Sequence, residues 1–309
     1  MDGLVIIDKP SGKTSHDIVA EIKRTLKADK VGHTGTLDPL ATGVLPVLIN
    51  RGTKLAPFLL TDSKEYQATL LLGIHTDTLD ITGNVLSKRM PHVSEGDLVR
   101  VIDALVGEKL QVPPLYSAVK FKGKPLYRWA RRGITVTPPP RTVEVYAAVI
   151  RAINMPRVTI HVACSKGTYI RSLCSDIGET LGCGAALEAL RRTRSGFFKE
   201  ETALALEGLT DGQKKDRLLS SLIPLEQAIP GLKSLRVDEP LARRVRQGVQ
   251  LTGGDLGADH IPFLAPGDVL KLLSAETGLV AVAEMLCGTE EMRSRDKSSP
   301  VARMLRVFK

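Results

Sequence analysis

Apolar positions along the chain follow two periods, and they predict strands and helices in irregular alternation. Leu4–Asp8 reads as a short strand closed by the turn Lys9-Pro10-Ser11-Gly12. Thr14 and Asp17 stand at capping-box spacing, and Ile18, Val19, Ile22 and Leu26 then share one helical face. Strands are predicted over Val44–Ile49 and Tyr66–Leu72, with two more near Val143–Ile150 and Val158–Cys164. Ser94 opens a helix reaching Val106, with Leu98, Val101, Ile102 and Leu105 on its buried side. Ser165-Lys166-Gly167 is a turn, and a further helix begins near Thr168. Several strand-to-strand links are too short for crossover helices. The expected fold is therefore α+β, a mixed and largely antiparallel sheet flanked by helices. Asp211–Arg217 is expected as a polar surface excursion and Glu290–Pro300 as a polar, mobile stretch. Pro230-Gly231 is the expected boundary between a main domain, 1–230, and a small β-rich domain, 231–309.

Composition narrows the class. The 309 residues are 43% hydrophobic and 25% charged, which describes a soluble globular chain able to bury a sizeable core. A net charge of +9 and a pI near 9.4 favour a polyanionic partner. Four cysteines (Cys164, Cys174, Cys183, Cys287) form no CxxC pair. The histidines (His16, His33, His75, His92, His161, His260) form no HExxH. No metal site is expected, and the thiols are expected to be reduced. No basic n-region, signal-peptide core or membrane span is present, so a cytoplasmic location is expected, with no membrane partner. No obligate-interface pattern is visible, and a monomer is the expectation.

Three segments are candidates for chemistry. Gly32–Pro46, GHTGTLDPLATGVLP, sets one carboxylate, Asp38, among small and apolar residues. Pro39 disfavours helix at Asp38, and Gly32, Gly35 and Gly43 permit positive φ and close approach to another molecule. Such a carboxylate suits a nucleophile or base, although on these grounds alone a structural turn is the more common explanation. Lys120–Arg132, KFKGKPLYRWARR, has six cationic residues in thirteen, with Phe121, Tyr127 and Trp129 interleaved. That pattern fits phosphate contact and base stacking as well as it fits a solvated basic helix. Two further basic groups, Arg191/Arg192/Arg194 and Arg243/Arg244/Arg246, would extend the footprint. Cys164–Cys174 places Tyr169 and Arg171 at a helix start, where an Arg beside a carboxylate would favour its ionised form, although on these grounds alone an ordinary helix start with its Arg in solvent is preferred. Gly73–Val85 carries Asp77 and Asp80, but the spacing departs from a calcium loop, so a polar hairpin is expected.

Taken together, seven segments in order resemble the pseudouridine synthases that modify the T loop of tRNA, the TruB family. They are DKPSGKTSHD from Asp8, the Asp38 loop, KEYQATLLLG from Lys64 with TDTLDITG from Thr76, VPPLYSAVKFKGKPLYRWARRG from Val112, SKGTYIRSLCSDIG from Ser165, and ALRRTRSG from Ala189. From Gly231 onward the likeness is weaker, with Arg243–Leu251 resembling the start of a PUA-type RNA-binding domain. The resemblance implies a pseudouridine synthase fold with a PUA-like C-terminal domain, and isomerisation of uridine at position fifty-five of tRNA without a cofactor. It implies that Asp38 is catalytic, that Tyr66 stacks on the uracil and assists C5 proton removal, and that Arg171 pairs with Asp38 while Asp80 joins that network. His33 would fill the space left by the flipped nucleotide, and Tyr169 and Leu190 would line the uracil pocket. Lys120, Lys122, Arg128 and Arg131 would contact the T arm, and Lys9 and Pro10 would support the active-site loop. No protein partner is implied for this branch. A guide-RNA-dependent relative and a non-catalytic RNA-binding protein remain as alternatives.

Overall fold

A computed structural model describes residues 1–60, 63–255, 262–294 and 296–309; His260 and Arg295 lie outside them. The chain begins β1 (Gly3–Lys9), α1 (Ser15–Leu26), β2 (Val31–His33), β3 (Thr42–Ile49), α2 (Ala56–Leu59), β4 (Lys64–Leu72). A hairpin of β5 (Ile74–Thr76) and β6 (Val85–Lys88) precedes α3 (Glu95–Asp103) and β7 (Gly107–Gln111). The basic segment folds as a two-residue hairpin, β8 (Lys120–Phe121) and β9 (Lys124–Pro125), followed by α4 (Leu126–Ala130). Then come β10 (Arg141–Asn154), β11 (Arg157–Cys164), α5 (Ile170–Thr180), β12 (Ala185–Ser195), β13 (Phe198–Lys199) and α6 (Asp211–Ser220). The C-terminal part holds β14 (Lys233–Val237), α7 (Glu239–Arg246), β15 (Val269–Ser274), β16 (Gly278–Met285), α8 (Thr289–Ser294) and β17 (Ala302–Val307).

The main sheet runs β1-β3-β12-β4-β11-β10-β7, with β2 added beside β3 and β13 beside β12. Every pairing is antiparallel except β12 with β3, where Arg191 and Arg192 face Thr42 and Gly43. The mixed, largely antiparallel sheet expected from the short links is thus present. The second sheet, β14-β15-β16-β17, is mixed as well.

β1 is apolar without interruption because both its faces are covered. Val5 and Ile7 join a core with Ile18, Val19, Ile22 and Leu26 of α1. Leu4 and Ile6 join Val44 and Leu48 in a separate layer against Leu279, Val282 and Phe308 of the C-terminal sheet. The helix starts follow their capping boxes, Thr14 with Asp17 and Ser94 with Asp97.

Two polar stretches contain helices. Asp211–Arg217, largely exposed, lies in α6, capped by the Thr210–Gln213 box and tied to α1 by Lys214 Nζ on Glu21 Oε1 at 2.8 Å. Glu290, at the start of the second, lies in the short helix α8. In both places a polar surface face disguised a helix whose buried side is narrow.

The β3–β12 joint explains one glycine. Gly43 has φ +96, and a Cβ there would sit 2.3 Å from the Arg192 carbonyl oxygen. Gly43→Ala is expected to lower unfolding free energy by about 2–3 kcal/mol. Urea titration should show a lower midpoint at an unchanged m-value; a wild-type midpoint would refute the strain. The close approach at Gly43 is to this chain's own backbone and not to another molecule. Gly32, also expected at positive φ, lies in β2 outside that region, while Gly35 has φ +80.

Candidate active site

The Asp38 loop joins β2 to β3 and is fastened on both sides of the carboxylate. Ser15 Oγ accepts from the Leu37 amide at 2.9 Å and donates to the Leu37 carbonyl at 3.1 Å. The Gly12 amide donates to the Pro39 carbonyl at 2.8 Å. Below the loop, the buried Lys9 ammonium donates to the carbonyls of Pro10 (2.7 Å), Lys13 (2.6 Å) and Pro39 (3.3 Å). Lys9 thus reaches the loop through the Pro39 carbonyl, and neither Lys9 nor Pro10 lines the two cavities described below.

Burial pushes Lys9 down to about 8, against the pull of Asp38. The folded value lies below the unfolded one of 10.5, so between the two the unfolded chain binds the extra proton. Stability should therefore rise with pH through that window, by about 1.4 kcal/mol per unit from this group. The difference between wild type and Lys9→Met in urea titrations across that range isolates the effect; a flat difference would contradict it.

Arg171, on the first turn of α5, is buried and aims inward. Its Nε donates to Asp38 Oδ2 at 2.8 Å, and its two terminal nitrogens donate to the carbonyls of Thr78 (2.9 Å) and Tyr116 (2.8 Å). Asp80 Oδ2 lies 3.9 Å from the same Nε. Its Oδ1 accepts from Thr78 Oγ1 (2.8 Å), the Thr82 amide (2.9 Å) and Thr82 Oγ1 (2.5 Å). The Asp77/Asp80 segment is a hairpin loop, as expected. One guanidinium thus joins four chain segments at the carboxylate, while the Asp38 side chain stays 36% exposed.

Two cavities share Asp38, Arg171, Thr36, Leu37, Ser117 and Ala118 as a common wall. The smaller, about 360 Å³, is lined by Tyr66, Tyr169, Leu190, Lys64 and Arg192. The larger, about 560 Å³, is lined by His33, Tyr116, Tyr127, Arg131 and Asp80. An aromatic and aliphatic slot beside the carboxylate, opening to a wider polar cleft, suits a flat base with its sugar and backbone outside. Burial raises the Tyr66 phenol above its ordinary value, partly opposed by the nearby Arg192 guanidinium. Burial likewise raises Tyr169. Burial, with Arg192 and His16 nearby, lowers His33 and favours its neutral form.

Of the four cationic candidates in the basic segment, Arg131 lines the larger cleft, its guanidinium 5.5 Å from the Tyr127 ring centre. Lys120, Lys122 and Arg128 are exposed and line neither cavity. The second basic group is not a surface footprint. Arg191 pairs with Asp8 and Glu200, Arg194 with Glu65, and Arg192 is 1% exposed. In the third, Arg244 pairs with Asp255 and Arg246 with Glu239, leaving Arg243 outermost. Carboxylates of the same chain thus pair with most of the arginines in these two groups, while the net charge of +9 is unchanged.

Residues 23–170 match the family model for the N-terminal domain of TruB family pseudouridylate synthase, and residues 171–230 match that for the C-terminal domain of tRNA pseudouridylate synthase B. The tRNA pseudouridine synthase B of Syntrophus aciditrophicus (strain SB) is 50% identical over 308 residues, covering 100% of this chain and 99% of the relative. The chain belongs to the TruB family. The enzyme of that name from Geobacter sulfurreducens is 42% identical over 309 residues, with 100% of both chains covered. Among solved structures, the archaeal box H/ACA sRNP Nop10–Cbf5 complex aligns with TM-score 0.73 and 31% identity, covering 99% of this chain and 86% of that one. An H/ACA RNP bound to a substrate RNA containing 2′-deoxyuridine aligns with TM-score 0.72 and 29% identity, covering 99% and 85%. The fold is that of these pseudouridine synthases.

Sequence reasoning missed Ser15, Thr78 and Tyr116, which act through one hydroxyl or through backbone carbonyls, and it misassigned Arg192. Only the partners of Leu37 and Arg171 across the fold reveal them. Among the described residues, no helix is long and apolar enough to cross a membrane.

Proposed function

We propose that this TruB-family chain isomerises uridine to pseudouridine at position fifty-five in the T loop of tRNA. The observation that carries the reading is the Asp38 carboxylate, half-open on the wall between a base-sized slot and a wider cleft and aligned by Arg171 at 2.8 Å. The target nucleotide leaves its stack, at a cost of about a few kcal/mol, and enters the slot against Tyr66, Tyr169 and Leu190. His33, on the cleft side, takes the vacated space in the loop. The N1–C1′ bond breaks, the uracil turns, C5 bonds to C1′ and the C5 proton departs. Asp38 acts either by removing the C2′ proton, giving a glycal, or by attacking C1′, giving an acylal; both use the carboxylate.

Arg131 meets the RNA backbone at the cleft, and Lys120, Lys122 and Arg128 meet phosphates farther out. The division at residues 230 and 231 separates this catalytic part from a PUA-like RNA-binding unit. The enzyme works in the cytoplasm as a monomer, needing neither protein partner nor guide. The test is an unmodified tRNA transcript incubated with the chain alone and mapped for pseudouridine. Modification confined to the T-loop uridine, and lost when that uridine is replaced by cytidine, is the expected result. Modification only after addition of a guide RNA or other proteins would favour the guide-dependent reading.

A further inference from the structure

Arg192 has the most unusual environment of any cation in the pocket. On β12 it pairs in register with Tyr66 of β4 on one side and Gly43 of β3 on the other. Its side chain turns into the small slot and is 1% exposed. Nε donates to the Val44 carbonyl at 2.7 Å, and a terminal nitrogen donates to the Gly35 carbonyl at 3.1 Å. Tyr66, its in-register neighbour, lines the same slot, and the guanidinium charge there favours the ionised phenol. Among the described residues, no carboxylate pairs with it. A buried guanidinium without a counter-charge is costly, and apolar residues fill such space at less expense. Its charge is left for something that becomes negative in the slot.

We propose that Arg192 is the positioning residue for Tyr66, holding the phenol oxygen toward C5 of the turned uracil and supplying the positive charge that a phenolate requires there. This rests on the pseudouridine synthase reading of the same pocket. Once C5 has bonded to C1′, C5 is tetrahedral and carries its hydrogen. Tyr66 gives its phenol proton to solvent beside Arg192, and the phenolate takes the C5 proton. The C–H electron pair forms the C5–C6 double bond, and the C6–N1 π pair moves to N1, which takes a proton from water. Tyr66 is then a phenol again, and the proton it gave to solvent matches the one N1 took, so charge and atoms balance. The Asp38 charge opposes the phenolate, and the Arg192 charge acts against it. Arg192 touches no reacting atom and acts through the phenol.

A purely structural Arg192 would act through Gly35 and Val44 on the Asp38 loop, slowing cleavage of the glycosidic bond. The two roles therefore fall on different steps. Single-turnover rates are compared for tRNA transcripts carrying hydrogen or deuterium at uracil C5, using wild type, Arg192→Gln and Arg192→Lys. Arg192→Gln is expected to slow turnover by about 100-fold, to leave tRNA affinity within about two-fold, and to raise the isotope effect above the wild-type value. Arg192→Lys, which keeps the charge, should recover part of the rate. An isotope effect that is unchanged or reduced in the slowed variant would overturn the proposal and assign Arg192 to the loop. If circular dichroism shows Arg192→Gln unfolded, the same comparison on Arg192→Lys decides by the same criterion. A wild type that modifies no transcript removes the functional reading, and this proposal with it.

Discussion

Replacing Asp38 by Asn is expected to abolish turnover while leaving tRNA affinity within about two-fold, a separation characteristic of a group needed only in the reaction. Asn has nearly the same shape, and the loop is fastened by Ser15, Gly12 and Lys9 through backbone groups and not through the Asp38 side chain. The loop should therefore keep its place. What is lost is the negative oxygen that either attacks C1′ or takes the C2′ proton. Removal of a nucleophile or base of this kind lowers the rate by at least about 10⁴-fold. Gel-shift affinity and single-turnover rates on one transcript measure the two quantities together. A variant within about ten-fold of wild type in rate would require another residue to carry the reaction.

Arg171→Ala is the second large effect expected, and its cause is different. The guanidinium satisfies Asp38, the Thr78 carbonyl and the Tyr116 carbonyl at once. Removing it leaves all three without their donor and frees the carboxylate to rotate toward solvent. The loss should fall on kcat, by about 10²–10³-fold, as for other preorganised polar contacts to a reacting group. Affinity for tRNA should change by less than about five-fold, because Arg171 is buried and offers nothing to phosphates. Arg171→Lys should fare little better, since one ammonium cannot reproduce a planar fork with three acceptors. Some loss of folding stability is expected as well, moderated because Asp38 is partly solvated. Equal losses in turnover and binding would instead place Arg171 in RNA recognition.

The sequence showed most of the scaffold where local chemistry dominates. Capping boxes at Thr14 and Ser94 mark real helix starts, and β1, β3, β4 and β11 follow their apolar runs. It concealed β12, which lies inside the sheet between β3 and β4. Two register shifts, at Leu187/Ala189 and Arg192/Arg194, break its alternation, and its arginines resemble a surface patch. The same disguise covers the site. Asp38 stands out in sequence as a lone carboxylate, but its alignment depends on Arg171, far along the chain, and on carbonyls that any residue could provide. The expected footprint of the two arginine groups failed for a related reason. Arg191, Arg194, Arg244 and Arg246 are all basic on paper, and the fold gives each of them a carboxylate partner.

The most direct test of the account is release of tritium from tRNA transcripts labelled at uracil C5, with Asp38→Asn run beside wild type. Isomerisation expels the C5 hydrogen, so the signal reports the chemistry itself. Release by the wild type alone, equal to one uridine per tRNA and located in the T loop, is the predicted result. Tight binding of tRNA by the wild type with no release would contradict it.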